Sequence, residues 1–177
     1  KSFTKAGRNI LVEKPFTATK EEADILRKLS SKFNTIIAVG HIERHNPIVK
    51  YIKDYLSDNP SEELISLHSD RLSSYPERIS DVGIIFDLSV HDIDIYNYIF
   101  GNYPISIYAT GGSYMDGKRE DHVSLVLEYG ENRYGICNTS WLSPSKVRQL
   151  KVKTSGNIIN VDYIKQSAKF TKSKFIK

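Results

Sequence analysis

Ile84-Ile85-Phe86-Asp87-Leu88-Ser89-Val90-His91-Asp92-Ile93-Asp94-Ile95-Tyr96-Asn97-Tyr98-Ile99-Phe100 divides the chain into two textures. At about 100° per residue, Ile84, Leu88, Ile95 and Ile99 fall on one apolar stripe, with Asp87, His91, Asp94 and Tyr98 on the stripe beside it. The spacing predicts an amphipathic helix from Ile84 to Phe100, stopped at Gly101. Before this helix, short strands alternate with helices; after it, strands alone follow.

On the upstream side, Ile10 to Glu13 reads as a strand ended by Lys14-Pro15. Thr19 with Glu22 makes a capping box, and Ala23, Leu26, Leu29 and Phe33 predict a helix over 20–33. Thr35 to Val39 is apolar throughout, as a buried parallel strand is. Strand, helix and strand in that order make a βαβ unit at the edge of a doubly wound sheet. Asn46 as N-cap and Pro47 at the first position open another helix, to about Leu56, and Leu64 to Leu72 alternates like a half-buried strand. Ser73 to Asp81 reads as a loop. Downstream, residues 104–113, 121–129, 132–142, 146–154 and 157–164 read as strands separated by tight turns, Gly156-Asn157 among them. The fold class expected is α+β: a C-terminal open, mostly antiparallel sheet with helices on one face, over 42–177, preceded by a βαβ remnant over 1–41.

Composition fits a soluble globular protein: 40% hydrophobic, 26% charged, mean hydropathy −0.38. With 25 basic and 21 acidic residues, the pI near 9.0 reflects a small excess of Lys. That charge is scattered, which speaks against a nucleic-acid partner. The exception is Lys165 to Lys177, where lysines interleave with Phe170 and Phe175. This tail is read as a solvated end or an edge strand, with an RNA-binding arm as the alternative. The single cysteine, Cys137, excludes an intrachain disulfide, fits a reducing cytoplasmic compartment and sits in a core-like run. No apolar run spans a bilayer and no signal peptide is visible. The only Met is Met115, and the chain opens at Lys1 in what reads as the last turn of a helix capped by Gly7, so a fragment is expected.

Asp87 and His91, at i and i+4, are spaced for a carboxylate to orient an imidazole as general acid/base. Glu13-Lys14-Pro15 lies at a strand's carboxyl end, where ligands bind in α/β sheets, and Lys14 there could stabilise a developing alkoxide. The plainer readings are an ordinary amphipathic helix and a turn lysine. In Gly40 to Pro47, Arg44 could bind a carboxylate or phosphate, with the Asn46 cap adding backbone donors. His41 and His45 do not suit a metal, because Asn46-Pro47 starts the helix after them and leaves no helical face to pair them. A metal-dependent phosphohydrolase using His91-Asp92 with His41 and His45 is a second reading, opposed by the five late strands; such domains resemble helical bundles. A non-catalytic binding or assembly module is the third.

Together these motifs resemble the glucose-fructose oxidoreductase, inositol dehydrogenase and MocA family over residues 1 to about 165. The resemblance implies a Rossmann domain remnant, an NAD(P)-dependent sugar dehydrogenase and a homo-oligomer formed through the open sheet face. It implies that Lys14 meets the reacting hydroxyl and that Asp87 and His91 are the catalytic pair, His91 the base. Glu13, Lys14 and Pro15 would lie near the nicotinamide of NAD or NADP, with the Lys14-Pro15 bond often cis. The family's Gly-rich phosphate loop would lie upstream, so this piece alone is expected to neither bind a dinucleotide tightly nor turn over. The segments VGHIERHNP, ISDVGIIFDLSVHDID and SWLSPSKVRQLKV resemble a largely archaeal subgroup that oxidises the 3-hydroxyl of UDP-N-acetylglucosamine, although His45 stands where an aromatic is expected. Arg44, Asn46, Arg71 and Arg148 are the substrate-binding candidates, the arginines including the diphosphate. A free polyol or sugar such as inositol is the alternative substrate.

Overall fold

The computed structural model describes residues 2–76 and 81–172, and the chain divides into two compact units, Lys1–Ile42 and Glu43–Lys177. Each is described by itself.

The first unit opens with a short helix, α1 (Ser2–Lys5), ended by Gly7 at φ 71°, a left-handed conformation that glycine adopts without strain. Strands β1 (Ile10–Val12) and β2 (Ile37–Val39) pair in parallel, Val12 opposite Val39, with α2 (Lys20–Phe33) between them in sequence. Thr19 caps α2 by accepting from the Glu22 amide. The returning arm of the capping box reaches one residue further back than expected: Glu22 accepts from the Ala18 amide at 3.1 Å. Asn34 closes α2 in the left-handed region, at φ 48°.

In the second unit a single 3-10 turn (Ile42–His45, shared with the end of the first unit) leads into α3 (Pro47–Asp58), capped by Asn46. Then come β3 (Leu64–Leu72), a π-helical turn (Ile85–Ser89) and α4 (Val90–Phe100). Six strands follow: β4 (Ser106–Gly112), β5 (His122–Gly130), β6 (Arg133–Ser140), β7 (Val147–Thr154), β8 (Asn157–Asp162) and β9 (Ser167–Lys172). Together with β3 they form one seven-stranded sheet, in the order β4-β5-β6-β3-β7-β8-β9. Only the β3–β6 pair is parallel. It needs a long crossover, which α4 with β4 and β5 supplies.

Alternation sets the faces. Leu67, Leu125, Leu127, Cys137, Leu150 and Val152 point to one side, where Ile52 of α3 and Ile95, Tyr96 and Ile99 of α4 complete the core. Tyr96 is fully buried, and its hydroxyl donates to the Ile136 carbonyl and accepts from the Ser69 hydroxyl. The ring lies so close to Gly135 that an added Cβ would come within 2.4 Å of it. On the other side, His68, Asp70, Asn138, Lys151 and Asn160 line a hollow of about 540 Å³. Glu131 and Asn132 both take positive φ, the conformation of a tight β5–β6 hairpin that matches the strand twist. The basic tail begins as the edge strand β9, whose Phe170 packs edge-on against Tyr55 at 4.9 Å. Lys174, Phe175 and Lys177 lie outside the described residues, as do 77–80 of the expected loop. Among the described residues no helix is long and apolar enough to cross a membrane.

Candidate active site

The stretch 84–100 is helical, but not uniformly α. Ile85–Ser89 is a π-turn, in which the Val90 amide bonds the Ile85 carbonyl, and regular α-helix begins at Val90. This corrects the expectation of one α-helix. The i,i+4 geometry of an α-helix does not apply across the wider turn, and apolar periodicity alone cannot register one inserted residue. Such turns recur at functional sites. Asp87 lies in the π-turn, half-buried, and His91 lies in the first turn of α4, with 8% of its surface exposed.

His91 adjoins a buried ion cluster. Arg71, on β3, is 4% exposed and meets Asp92 of α4 in a two-pronged pair, Nε to Oδ2 at 2.8 Å and Nη2 to Oδ1 at 3.0 Å. Its remaining prong, Nη1, donates to Glu43 Oε1 at 3.2 Å. The other Glu43 oxygen accepts from the Asn46 amide at 3.2 Å. Burial pushes the Glu43 carboxyl upward, but Arg71, the Asn46 hydrogen bond and the charge of His91 together hold it below the usual carboxylate range. Burial likewise works against the Arg71 charge, and Asp92 and Glu43 more than offset it. Tyr163 places its ring 5.7 Å from the Arg71 guanidinium, and burial raises the Tyr163 hydroxyl well above its usual value. Cys137 approaches Asp92 at 3.9 Å; burial raises this thiol too and keeps it protonated.

Arg148 sits directly opposite Arg71 in the β3–β7 ladder. It donates to the carbonyls of Leu72 and Val147 at 2.6 and 2.7 Å. Burial and the like charge of Arg71 lower its pKa, partly offset by Asp92, Glu43 and Asp87. Arg71 therefore differs from the substrate-facing arginine expected: three of its N–H groups are committed to protein carboxylates in a site closed to solvent. Asn46 is similarly engaged, capping α3 through the Ile48 amide and accepting from Gln166 at 2.9 Å.

Arg44 is different. It pairs with Asp94 of α4 through Nε at 2.7 Å and Nη2 at 2.5 Å, yet its side chain is 42% exposed. It lies 5.5 Å from the Tyr98 ring centre, and Lys53 lies 5.4 Å from the same centre. Arg44, Asn97, Tyr98, Asn102 and Tyr103 line a cleft of about 320 Å³.

In the first unit, Glu13, Lys14 and Pro15 follow β1, and the Lys14-Pro15 bond is cis. Gly40 follows β2, donating from its amide to the Val12 carbonyl at 2.7 Å. An added Cβ at Gly40 would come within 3.2 Å of the Glu13 carboxylate, so glycine leaves room for that side chain at the strand ends.

Glu43 and Tyr163 did not emerge from the sequence reading, and Asp92 emerged only beside His91 in the phosphohydrolase reading, not as a partner of Arg71. Glu43 and Asp92 sit inside the motifs that did, next to Arg44 and His91. The signal available was an acidic neighbour in each motif with a lone arginine on the strand between them.

The GFO/IDH/MocA C-terminal domain family matches residues 55–158. UDP-N-acetylglucosamine 3-dehydrogenase of Acidithiobacillus ferrooxidans is 32% identical over 159 residues, 90% of this chain and 49% of that protein. Inositol 2-dehydrogenase of Rhizobium meliloti is 27% identical over 147 residues, 78% of this chain and 44% of that protein. Among solved structures, the WlbA dehydrogenase of Bordetella pertussis, in complex with NADH and UDP-GlcNAcA, shares the fold. Its TM-score is 0.86 at 15% identity, covering 99% of this chain and 55% of that one. The chain spans about half the length of the curated relatives it matches. Over the sheet and the helix that carry the candidate site, this chain belongs to the GFO/IDH/MocA family.

Proposed function

We propose that the protein containing this chain is an NAD(P)-dependent dehydrogenase that oxidises a sugar hydroxyl, with the 3-hydroxyl of a UDP-amino sugar as the favoured substrate. The observation that carries the reading is His91, an imidazole at the start of α4 set among charged groups on a domain of this family. His91 takes the hydroxyl proton, and Asp87 is its paired carboxylate. On the family resemblance alone, Lys14 is assigned to steady a developing alkoxide. Bound nicotinamide supplies the hydride acceptor, so the carbinol carbon loses a hydride while the hydroxyl loses a proton. The residues at the carboxyl ends of β1 and β2 suit that group: both strands end together in parallel, Gly40 adds no side chain, and Glu13, Lys14 and Pro15 border the space.

The nucleotide preference is supported by the similarity to the UDP-N-acetylglucosamine 3-dehydrogenase and by the Arg44 cleft. Tyr98 lies seven residues beyond His91 on α4, about 10 Å along the axis. A sugar ring with its attached diphosphate reaches about that far, with Arg44 and Lys53 to meet the charge and the exposed Tyr103 ring to stack on the base. Arg71 and Arg148 bond carboxylates and carbonyls of the protein itself and are given a structural part. The open sheet face, carrying both Lys151 and Asp70, is the surface we assign to a second copy, since mixed charge suits a self-complementary contact.

Two variants of the whole protein test the reading. His91→Ala and Lys14→Ala each reduce turnover by at least about 100-fold, far more than they reduce thermal stability. Near-normal turnover in both would overturn it.

A further inference from the structure

The π-turn that carries Asp87 is fastened at both ends. At its start stands Glu120, on the β4–β5 loop two residues before β5. The Glu120 backbone carbonyl accepts from the Ile84 amide at 2.9 Å, and its side chain accepts from the Ile85 amide through Oε1 at 3.3 Å. Amides in the first turn of a helical stretch have no partner further back along it, so these two bonds come from outside. The carboxylate lies over the buried Gly83, where an added Cβ would overlap it; a residue without a side chain is what lets Glu120 reach the turn. At the far end Ser89 shares a hydrogen bond with Thr139 of β6 at 2.7 Å, both side chains buried. Asp87 lies between the two anchors, and its amide donates to the Gly83 carbonyl at 3.1 Å. The loop that presents Glu120 is itself fixed. Asp121, fully buried, accepts from the amides of Tyr114 and Met115 at 2.8 and 2.7 Å, and its carbonyl accepts from the Trp141 amide at 2.8 Å. Asp116 accepts from the amides of Lys118 and Arg119 at 2.8 and 3.1 Å.

We propose that Glu120 is a positioning residue: its carboxylate, admitted by Gly83, anchors the start of the π-turn and thereby sets where Asp87 stands relative to α4. This rests on the reading of Asp87 and His91 as the catalytic pair and adds a residue that acts through the backbone of the turn. A π-turn is a rare conformation, and such conformations persist where the surroundings over-determine them. Here the surroundings are Glu120 at one end and the Ser89–Thr139 bond at the other. Released from Glu120, the start of the turn is free to re-pair as ordinary α-helix. One residue of slip turns Asp87 by about 100° about the helix axis relative to α4, enough to carry its carboxylate away from a partner on that helix. The Glu120 backbone carbonyl still holds the Ile84 amide when the side chain is removed, so side-chain variants test the carboxylate alone.

The test uses the whole protein and two readouts. In hydrogen exchange followed by mass spectrometry, Glu120→Ala speeds exchange in the peptide covering the π-turn by about fivefold, the scale of losing one helix cap, and leaves the later turns of α4 unchanged. In nicotinamide reduction with UDP-N-acetylglucosamine, Glu120→Ala lowers kcat by about tenfold or more, the scale of a small misplacement of a catalytic group. KM stays nearly constant, because the Arg44 cleft lies at the other end of α4. Gly83→Ala displaces the carboxylate and gives the same loss, and the double variant loses no more than either single one. Glu120→Gln keeps an oxygen for the Ile85 amide and recovers most of the turnover. Unchanged exchange at the π-turn in Glu120→Ala overturns the anchor whatever the enzyme does. A Glu120→Gln loss as large as that of Glu120→Ala, additive losses in the double variant, or a KM that rises in step with the fall in kcat overturn the positioning role and point to general loosening. A folded parent that reduces no nicotinamide overturns the dehydrogenase reading, and the positioning role with it, whatever the exchange shows.

Discussion

Replacing Arg71 by Met is the most demanding test of the buried cluster. The side chains are close in length, so packing is largely kept while the charge is lost. Asp92, 1% exposed, then keeps a carboxylate that has lost both its charged hydrogen bonds, and Glu43 loses one. Removing one partner of a buried ion pair destabilises by about 3–5 kcal/mol. A domain of this size has roughly 5–15 kcal/mol in all, so the melting midpoint falls by roughly 10–15 °C. The assay is built in: Trp141, the only tryptophan, is 3% exposed within the sheet unit, and its fluorescence follows unfolding of that unit alone. The double variant Arg71→Met with Asp92→Leu should recover most of the loss, because no buried charge is then left unpaired. A loss under about 1 kcal/mol in the single variant, or a double variant worse than the sum of the singles, would refute the reasoning.

Three further outcomes are expected. Gly135→Ala should destabilise the sheet unit by about 2–3 kcal/mol, read by the same fluorescence, because the new Cβ meets the locked ring of Tyr96 at 2.4 Å. Tyr96→Phe should lose about 1–2 kcal/mol, since Ser69 and the Ile136 carbonyl lose the hydroxyl that bonds both. Glu43 is held below its unfolded pKa, so its charge favours folding above the ordinary carboxylate range and that contribution fades as the pH falls through it. The stability gap between the parent and Glu43→Gln should therefore narrow on acidification; a gap that is constant from pH 7 to pH 3 would contradict the assignment.

Much of the architecture was legible because it rests on local chemistry. Thr19 and Asn46 mark helix starts by accepting from amides within the next turn, and Gly7 and Gly101 mark ends by taking positive φ. Most strands show in their apolar runs or alternation, whereas β9 realises one of the two plain readings of the basic tail, an edge strand. What escaped depends on partners distant in sequence. Nothing local says that β3 runs parallel to β6, or that Arg71 finds Asp92 across 21 residues and Glu43 across 28. An arginine on an alternating strand reads equally as a surface cation or as the centre of a buried cluster. The π-turn escaped for another reason: the apolar stripe from Ile84 to Ile99 tolerates one inserted residue without losing its pattern. Arg44 came through as a candidate and the structure leaves it partly open to solvent, because Asp94 takes only part of its donor set.

The most direct measurement of the central claim is nicotinamide reduction by the whole protein, with UDP-N-acetylglucosamine offered beside myo-inositol and free glucose, each with NAD and NADP. Reduction with the nucleotide sugar, lost in His91→Ala and in Lys14→Ala, is the result predicted. Reduction with none of the three by a folded protein would contradict the account.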